Sequence, residues 1–216
     1  MQVRQLVVGP YQTNCYLLAQ EEKGRCWIID PGNNAPFLID AVGGTHLKLE
    51  AILLTHAHWD HIAALGGVHE AFPSAPIYVG GKDKAFLGPK ALGRFEQTGA
   101  DQAFLGCYRD ELAKLPEPTH LLQGGEQLFD GDIQAIATGG HTPGGMSYSV
   151  PSDHLLFCGD TLFAGSVGRT DMYGGNYEEL MRSIQRLREL PGTTIVLPGH
   201  GPTTTLAREA AENPYF

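Results

Sequence analysis

Residues 55–61 read Thr-His-Ala-His-Trp-Asp-His and directly follow the apolar run Ala51-Ile52-Leu53-Leu54. Four ligand-type side chains therefore stand at the end of a strand-like segment, where loops commonly carry function. His56 and His58 share a face if the backbone stays extended there, because side chains alternate along a strand. Asp60 and His61 fall at the start of a helical pattern over about 61–72 and point elsewhere. The helix dipole also favours an aspartate at that position. One short segment can thus feed two metal positions. Three more ligand-type residues each follow an apolar run and a glycine: His141 in Gly-Gly-His-Thr-Pro-Gly-Gly (139–145), Asp160 in Cys-Gly-Asp-Thr (158–161) and His200 in Pro-Gly-His-Gly-Pro (198–202). Glycine permits the turn and lets the backbone approach a crowded centre. Alone, each of the three reads equally well as a turn histidine or a helix cap. Together with the first cluster, they point to a fold that gathers several strand ends at one place.

His56, His58, Asp60, His61, His141, Asp160 and His200 make seven imidazole and carboxylate donors, with no cysteine among them. A closed structural zinc site uses four donors. Seven suit two metals that share one bridging ligand and keep open positions for water, the arrangement of a two-metal hydrolytic site. Open positions also weigh against a metal-binding module without catalysis.

Short β-type runs recur along the chain: VRQLVV, CYLLA, CWIID, EAILLT, IYV, IQAIAT, MSYSV, HLLFC and TIVLP. Helical spacing appears in HIAALGGVHEAF and in YEELMRSIQRLREL (177–190), where Leu180, Ile184 and Leu187 share one side. Asn176 is placed to cap the latter, and Pro191-Gly192 stops it. Strands cluster before and after single helices, so the expected class is α/β with mixed sheets and outer helices, not strict βαβ alternation. Residues 81–118 carry six Lys/Arg and six Asp/Glu and read as an inserted helical element that could cover a cleft; a purely structural insertion is an equal reading. No linker marks a boundary, so residues 1–216 are expected to form a single domain.

The formal net charge is −9, which makes the chain a poor candidate for non-specific nucleic-acid binding and for an anionic membrane surface. No apolar run approaches a membrane span, and MQVRQLVVGPYQTN shows no signal peptide. The four cysteines form no Cys-x-x-Cys pair, and Cys15, Cys26 and Cys158 lie in apolar stretches as buried strand residues. A reducing cytoplasm and a small-molecule substrate are the expectations that follow. The oligomeric state stays open.

The motifs Thr-His-x-His-x-Asp-His, Gly-His-Thr-Pro-Gly, Gly-Asp and Gly-His resemble the metallo-β-lactamase superfamily, and within it the glyoxalase II-type hydrolases. Ile-Asp-Pro-Gly (29–32), the stretch GDTLFAGSVGRTD (159–171) and the Pro-Gly-His-Gly-Pro end also match. The resemblance covers nearly the whole chain outside about 81–118, and implies a four-layer αβ/βα sandwich with the metals at one edge between two sheets. It implies that His56, His58 and His141 bind one metal, that Asp60, His61 and His200 bind the second, and that Asp160 bridges them. It makes Asp30 a supporting residue, with a plain turn aspartate as the other reading. Arg169 aligns with a basic position that contacts glutathione in those enzymes; an ion pair with Asp171 is its alternative. Tyr173 and Tyr177 could line the same pocket. Those enzymes also carry a C-terminal helical domain that helps to hold glutathione. Here 16 residues follow His200, with Arg208 their one basic residue, which leaves the thiol carrier open.

The chemistry implied is hydrolysis of a thioester such as an S-acylglutathione, with two divalent cations, zinc first and iron or manganese as alternatives. Asp60 would orient the metal-bound hydroxide. A thiol with pKa about 8.5 departs without a strong general acid, and the sequence offers no obvious one. Two other activities share the fold. Persulfide dioxygenases carry a similar Gly-Arg-Thr-Asp segment (168–171 here) and would use one iron on His56, His141 and Asp160. Lactone hydrolysis could use the same site.

Overall fold

Strands that are apolar on both faces must be covered on both sides. The computed structural model, which describes residues 1–98 and 102–216, shows how this chain does it. Residues 99–101, inside the 81–118 stretch, lie outside the described residues.

One six-stranded sheet runs in sequence order: β1 (Gln2–Val8), β2 (Thr13–Gln20), β3 (Arg25–Ile29), β4 (Lys48–Leu53), β5 (Ile77–Gly80) and β6 (His120–Leu122). Its first three strands pair antiparallel, and β3 to β6 pair parallel. The second sheet contains β7 (Gln127–Leu128), β8 (Ile133–Ala137), β9 (Met146–Val150) and β10 (Leu155–Gly159). A small hairpin of β11 (Leu162–Phe163) and β12 (Ser166–Val167) follows, before β13 (Ile195–Pro198) and β14 (Thr204–Thr205) return to the second sheet. Strand order there is β14-β13-β10-β9-β8-β7, with β10 and β13 parallel. Both sheets are therefore mixed.

The alternation of side chains builds three apolar layers. Tyr16, Leu18, Trp27, Ile29, Tyr148 and Phe157 pack between the two sheets. The opposite faces of the same strands, with Cys15, Leu17, Cys26 and Ile28, pack under α1 (Ala35–Gly43), α2 (Trp59–Ile62) and α3 (Leu65–Ala71), and α4 (Ala91–Gln97) and α5 (Gln102–Leu112) add Phe95 and Leu112. Leu156, Cys158 and Val196 on the far side of the second sheet meet α6 (Tyr177–Leu187) and α7 (Leu206–Glu212) through Ile184, Leu187 and Leu206. The result is the four-layer αβ/βα sandwich that the resemblance implies. Among the described residues, no helix is long and apolar enough to cross a membrane.

Two elements differ from the sequence reading. The single helix expected over 61–72 is two short ones, because the Ala64 N–H leaves the helical ladder and donates to the Pro31 carbonyl at 3.0 Å. The helix expected over 177–190 starts on its cap, with the Glu179 N–H donating to Asn176 Oδ1 at 2.9 Å, but closes at Leu187, ahead of Pro191.

Candidate metal centre

Each ligand-type residue stands just beyond the end of a strand, and those ends meet at one edge of the sandwich. His56 follows β4, and His58 keeps an extended backbone (φ −75°, ψ 147°) as the cap of α2, which carries Asp60 and His61. His141 follows β8, Asp160 follows β10 and His200 follows β13. The approach of these turns is close enough to demand glycine. A Cβ on Gly159 would lie 2.2 Å from Thr55 Oγ1, and one on Gly199 2.2 Å from Asp160 Oδ1.

All seven side chains are brought together. His56, His58 and His141 form one group and Asp60, His61 and His200 another, each with one ligand atom per residue within 4.8 Å of the others. Asp160 reaches both groups: Oδ1 lies 3.4 Å from His61 Nε2, and Oδ2 lies 3.5 Å from His141 Nε2 and 3.6 Å from His200 Nε2. Asp60 Oδ2 lies 3.3 Å from His200 Nε2 and accepts from the Thr13 hydroxyl at 3.1 Å. Asp30, His56 and His61 also lie close enough to make a third group. Asp30, however, is already committed to hydrogen bonds with Thr55 and His61.

The second nitrogen of four histidines fixes which nitrogen faces the centre. His141 Nδ1 donates to the Arg169 carbonyl at 2.7 Å, and His200 Nδ1 to the Tyr11 carbonyl at 3.1 Å. His61 Nδ1 donates to Asp30 Oδ2 at 3.0 Å. The Thr55 hydroxyl donates to that same carboxylate, so at 3.0 Å it accepts from His56 Nδ1. A neutral imidazole whose Nδ1 carries the proton offers a bare Nε2 lone pair, the usual way outer partners orient metal-binding histidines. The four Nε2 atoms converge. His61 Nε2 and His200 Nε2 stand 3.2 Å apart, and in the neutral tautomers no proton lies between them. His56 Nε2 and Asp160 Oδ1 are buried and have no hydrogen-bond partner among the described residues. Buried polar atoms without partners are costly, and a cation between them satisfies both. The donor set therefore fits a pair of divalent metals.

Electrostatics separate the two groups. Burial, with the neighbouring histidines, holds His56 well below the usual imidazole range and pushes His58 down to about 3. Both stay neutral, as a metal ligand must. Burial also opposes charge on His61, but Asp60, Asp160 and the hydrogen bond to Asp30 outweigh it and raise its pKa. For Asp160, burial acts upward, yet His61, His141 and His56 hold the carboxyl well below its usual range.

Beside the cluster opens a cavity of about 760 Å³, walled by Trp59, Phe86, Phe95, Phe163, Met172 and Tyr173, with Asp60, His141, Asp160 and His200 in its lining. Arg169 and Tyr173 both line it, whereas Tyr177 does not. Arg169 is paired with Asp171 through Nε at 2.6 Å and Nη2 at 2.7 Å. Its carbonyl, not its charge, is what touches the cluster.

Sequence reading missed Asp83. It is buried, and it accepts from the Ala57 N–H at 3.2 Å, the Thr142 hydroxyl at 2.7 Å and the Gly144 N–H at 2.7 Å. It thereby ties the loop of His56 and His58 to the loop of His141. In Gly-Gly-Lys-Asp-Lys it looks like one charge among several, and nothing local marks it. Thr13 and Asn14 were also missed. Asn14 Nδ2 donates to the carbonyls of Pro198 at 2.9 Å and Gly201 at 3.0 Å, which holds the His200 turn. A polar Thr-Asn pair at the head of the buried strand β2 was the available signal.

Comparison with known proteins agrees with this geometry. The model of the metallo-beta-lactamase superfamily matches residues 8–200. A probable metallo-hydrolase, YqgX, of Bacillus subtilis is 38% identical over 219 residues, covering 100% of this chain and 98% of that one. The hydroxyacylglutathione hydrolase GloC of Haemophilus influenzae is 33% identical over 220 residues, with 100% and 98% covered. Among solved structures, TTHA1623 in a di-iron-bound form superimposes with a TM-score of 0.79 at 37% identity, covering 99% of this chain and 100% of that one.

Proposed function

The chain belongs to the metallo-beta-lactamase superfamily, and from that premise we propose that it is a dinuclear-metal hydrolase of thioesters. The observation that carries this reading is the convergence of bare imidazole nitrogens and two carboxylates on one buried point beside an aromatic cavity. His56, His58 and His141 would hold one cation and Asp60, His61 and His200 the other, with Asp160 within reach of both groups. Imidazole with carboxylate suits zinc, and iron also accepts such donors. The di-iron form of TTHA1623 and the likeness to the hydroxyacylglutathione hydrolase GloC support the reading.

When bound, two such cations supply an activated water at neutral pH and a counter-charge for the oxygen on which negative charge develops. The protein supplies the rest. The Thr13 hydroxyl holds Asp60 so that its carboxylate orients the attacking water. Trp59, Phe86 and Phe95 exclude bulk water from the acyl group. In the reaction the acyl carbon gains the water oxygen and its bond to sulfur breaks, releasing a carboxylate and a thiolate. A thiolate leaves readily at a pKa of about 8.5, so its departure needs no general acid. The buried thiols Cys15, Cys26 and Cys158 suit a reducing, cytoplasmic setting.

The test is a substrate panel on protein of measured metal content. Hydrolysis of S-acyl thiols in proportion to bound metal, without oxygen uptake, is expected. Preferential lactone or β-lactam hydrolysis, or oxygen consumption with a persulfide on one iron per chain, would overturn it.

A further inference from the structure

The net charge of −9 hides a cationic groove beside the metal cavity. Of the 15 Lys and Arg residues, eight pair with a carboxylate among the described residues, which leaves seven. Four of those seven, Lys82, Lys84, Lys90 and Arg94, line one groove of about 1020 Å³, where Glu117 is the single carboxylate among the described residues. Lys90, Gly93, Arg94 and Gln97 are spaced three and four apart, so they share one face of α4, while Ala91 and Phe95 on its other side are buried. The 81–86 turn is divided in the same way: Lys82 and Lys84 face the groove, and Asp83 and Phe86 line the metal cavity. The 81–86 turn thus forms a wall shared by cavity and groove. At its rim, Arg94 Nη2 donates to the Tyr173 hydroxyl at 3.4 Å, with the guanidinium 5.7 Å from the Tyr173 ring centre. Arg94 Nε is buried without a partner among the described residues.

Among the described residues, the one cationic side chain of the metal cavity outside the histidine cluster, Arg169, is paired with Asp171. The cations that the cluster would hold face the reacting acyl group. Unpaired positive side chains for the carrier half of a substrate stand in the neighbouring groove. We propose that this groove binds the polyanionic thiol carrier of the substrate, over the Arg94–Tyr173 rim, while the acyl group occupies the aromatic cavity. The proposal rests on the thioester reading. Carboxylates of a peptide thiol and phosphates of a nucleotide thiol share the required chemistry.

The experiment compares kcat/KM for three acetyl thioesters: S-acetylglutathione, acetyl-coenzyme A and the uncharged S-acetyl-N-acetylcysteamine. Lys84→Glu combined with Lys90→Glu, and separately Gly93→Glu, place negative charge in the groove. A Cβ on Gly93 meets nothing within 4 Å, so that variant has room to fold. The exposed, unpaired Lys114, outside the groove, supplies the control Lys114→Glu. The ratio of charged to uncharged kcat/KM is expected to fall about tenfold or more, through KM, in both groove variants and to hold in the control. The carrier with the larger fall identifies carboxylate or phosphate as the ligand. A ratio unmoved for both carriers overturns the proposal. Should no thioester be hydrolysed by the parent protein, the thioester reading fails separately. Calorimetry with free glutathione and coenzyme A then decides the groove: binding lost in the variants upholds it, and no binding of either thiol overturns it.

Discussion

The two ends of the sandwich join the same sheets by opposite means. At one end, Arg25 at the start of β3 reaches over to the Phe129 carbonyl at 3.1 Å, to Asp130 at 3.3 Å and to Asp132, which also takes Lys23 at 2.8 Å. The N-terminal ammonium pairs with Asp153 there too. The carboxylates and Lys23 keep partial access to water, so each pair is a modest contribution, although Arg25 is buried and Asp132 is shared. At the other end, just past Ile29, Asp30 anchors Thr55 and His61 from the first sheet, and the cluster continues through Asp160 to His141 and His200 from the second. Those groups are mostly buried and share partners, so their energies are coupled. The lesson is that one end closes the fold while the other is poised for a ligand, because the latter sets two partnerless buried ligand atoms, His56 Nε2 and Asp160 Oδ1, in one cluster.

The contrast can be broken most sharply at Asp160. Asp160→Ala is expected to strip the metals and cost at least about 10³-fold in turnover, whereas Asp132→Asn keeps full metal content; elemental analysis beside kinetics reads both. Next in size is Asp30→Asn, which weakens the acceptor that sets the His61 tautomer and the Thr55 hydroxyl. Metal affinity should drop by about 10–100-fold, measured by competition with a chelator. Asp83→Ala leaves the Ala57 and Gly144 N–H groups and the Thr142 hydroxyl without their acceptor. It should lower unfolding free energy by about 2–3 kcal/mol in denaturant titration, with Asp83→Asn recovering part of it. The smallest effect belongs to the ion-paired end. Lys23 and Arg25 hold the Asp132 carboxyl below its usual range, so its contribution is complete above the unfolded value of about 3.9 and is lost as pH falls through the folded one. Asp132→Asn should therefore cost about 1 kcal/mol at pH 7, and progressively less as pH falls below the unfolded value of about 3.9. A cost that persists in acid would mean that the pair acts by packing.

The same comparison explains what the sequence made legible. Nine apolar runs became strands; in β2, β3, β9 and β10 both faces are buried, and continuous apolarity is a strong local signal, whereas β1 buries only Leu6 and Val8. The strands β7, β11, β12 and β14 are two residues long and β6 three, too short for any period to register. All seven clustered side chains are legible, four in the dense segment 56–61 and His141, Asp160 and His200 each after a strand and a glycine. Asp30 was weighed evenly against a turn aspartate, and its bonds to Thr55 and His61 place it in support of the cluster. Asp83 was invisible because its partners, Ala57, Thr142 and Gly144, lie 26 to 61 residues away in the chain. Ligands announce themselves by type, while the residues that position them are defined only by what the fold sets beside them.

The central claim is that two cations share Asp160. Anomalous diffraction from crystals grown with zinc, recorded on both sides of the metal edge, tests it directly. Two peaks are predicted, one against His56, His58 and His141 and one against Asp60, His61 and His200, each touching an Asp160 oxygen. A single peak, or two that leave the Asp160 carboxylate unbound, would contradict the account.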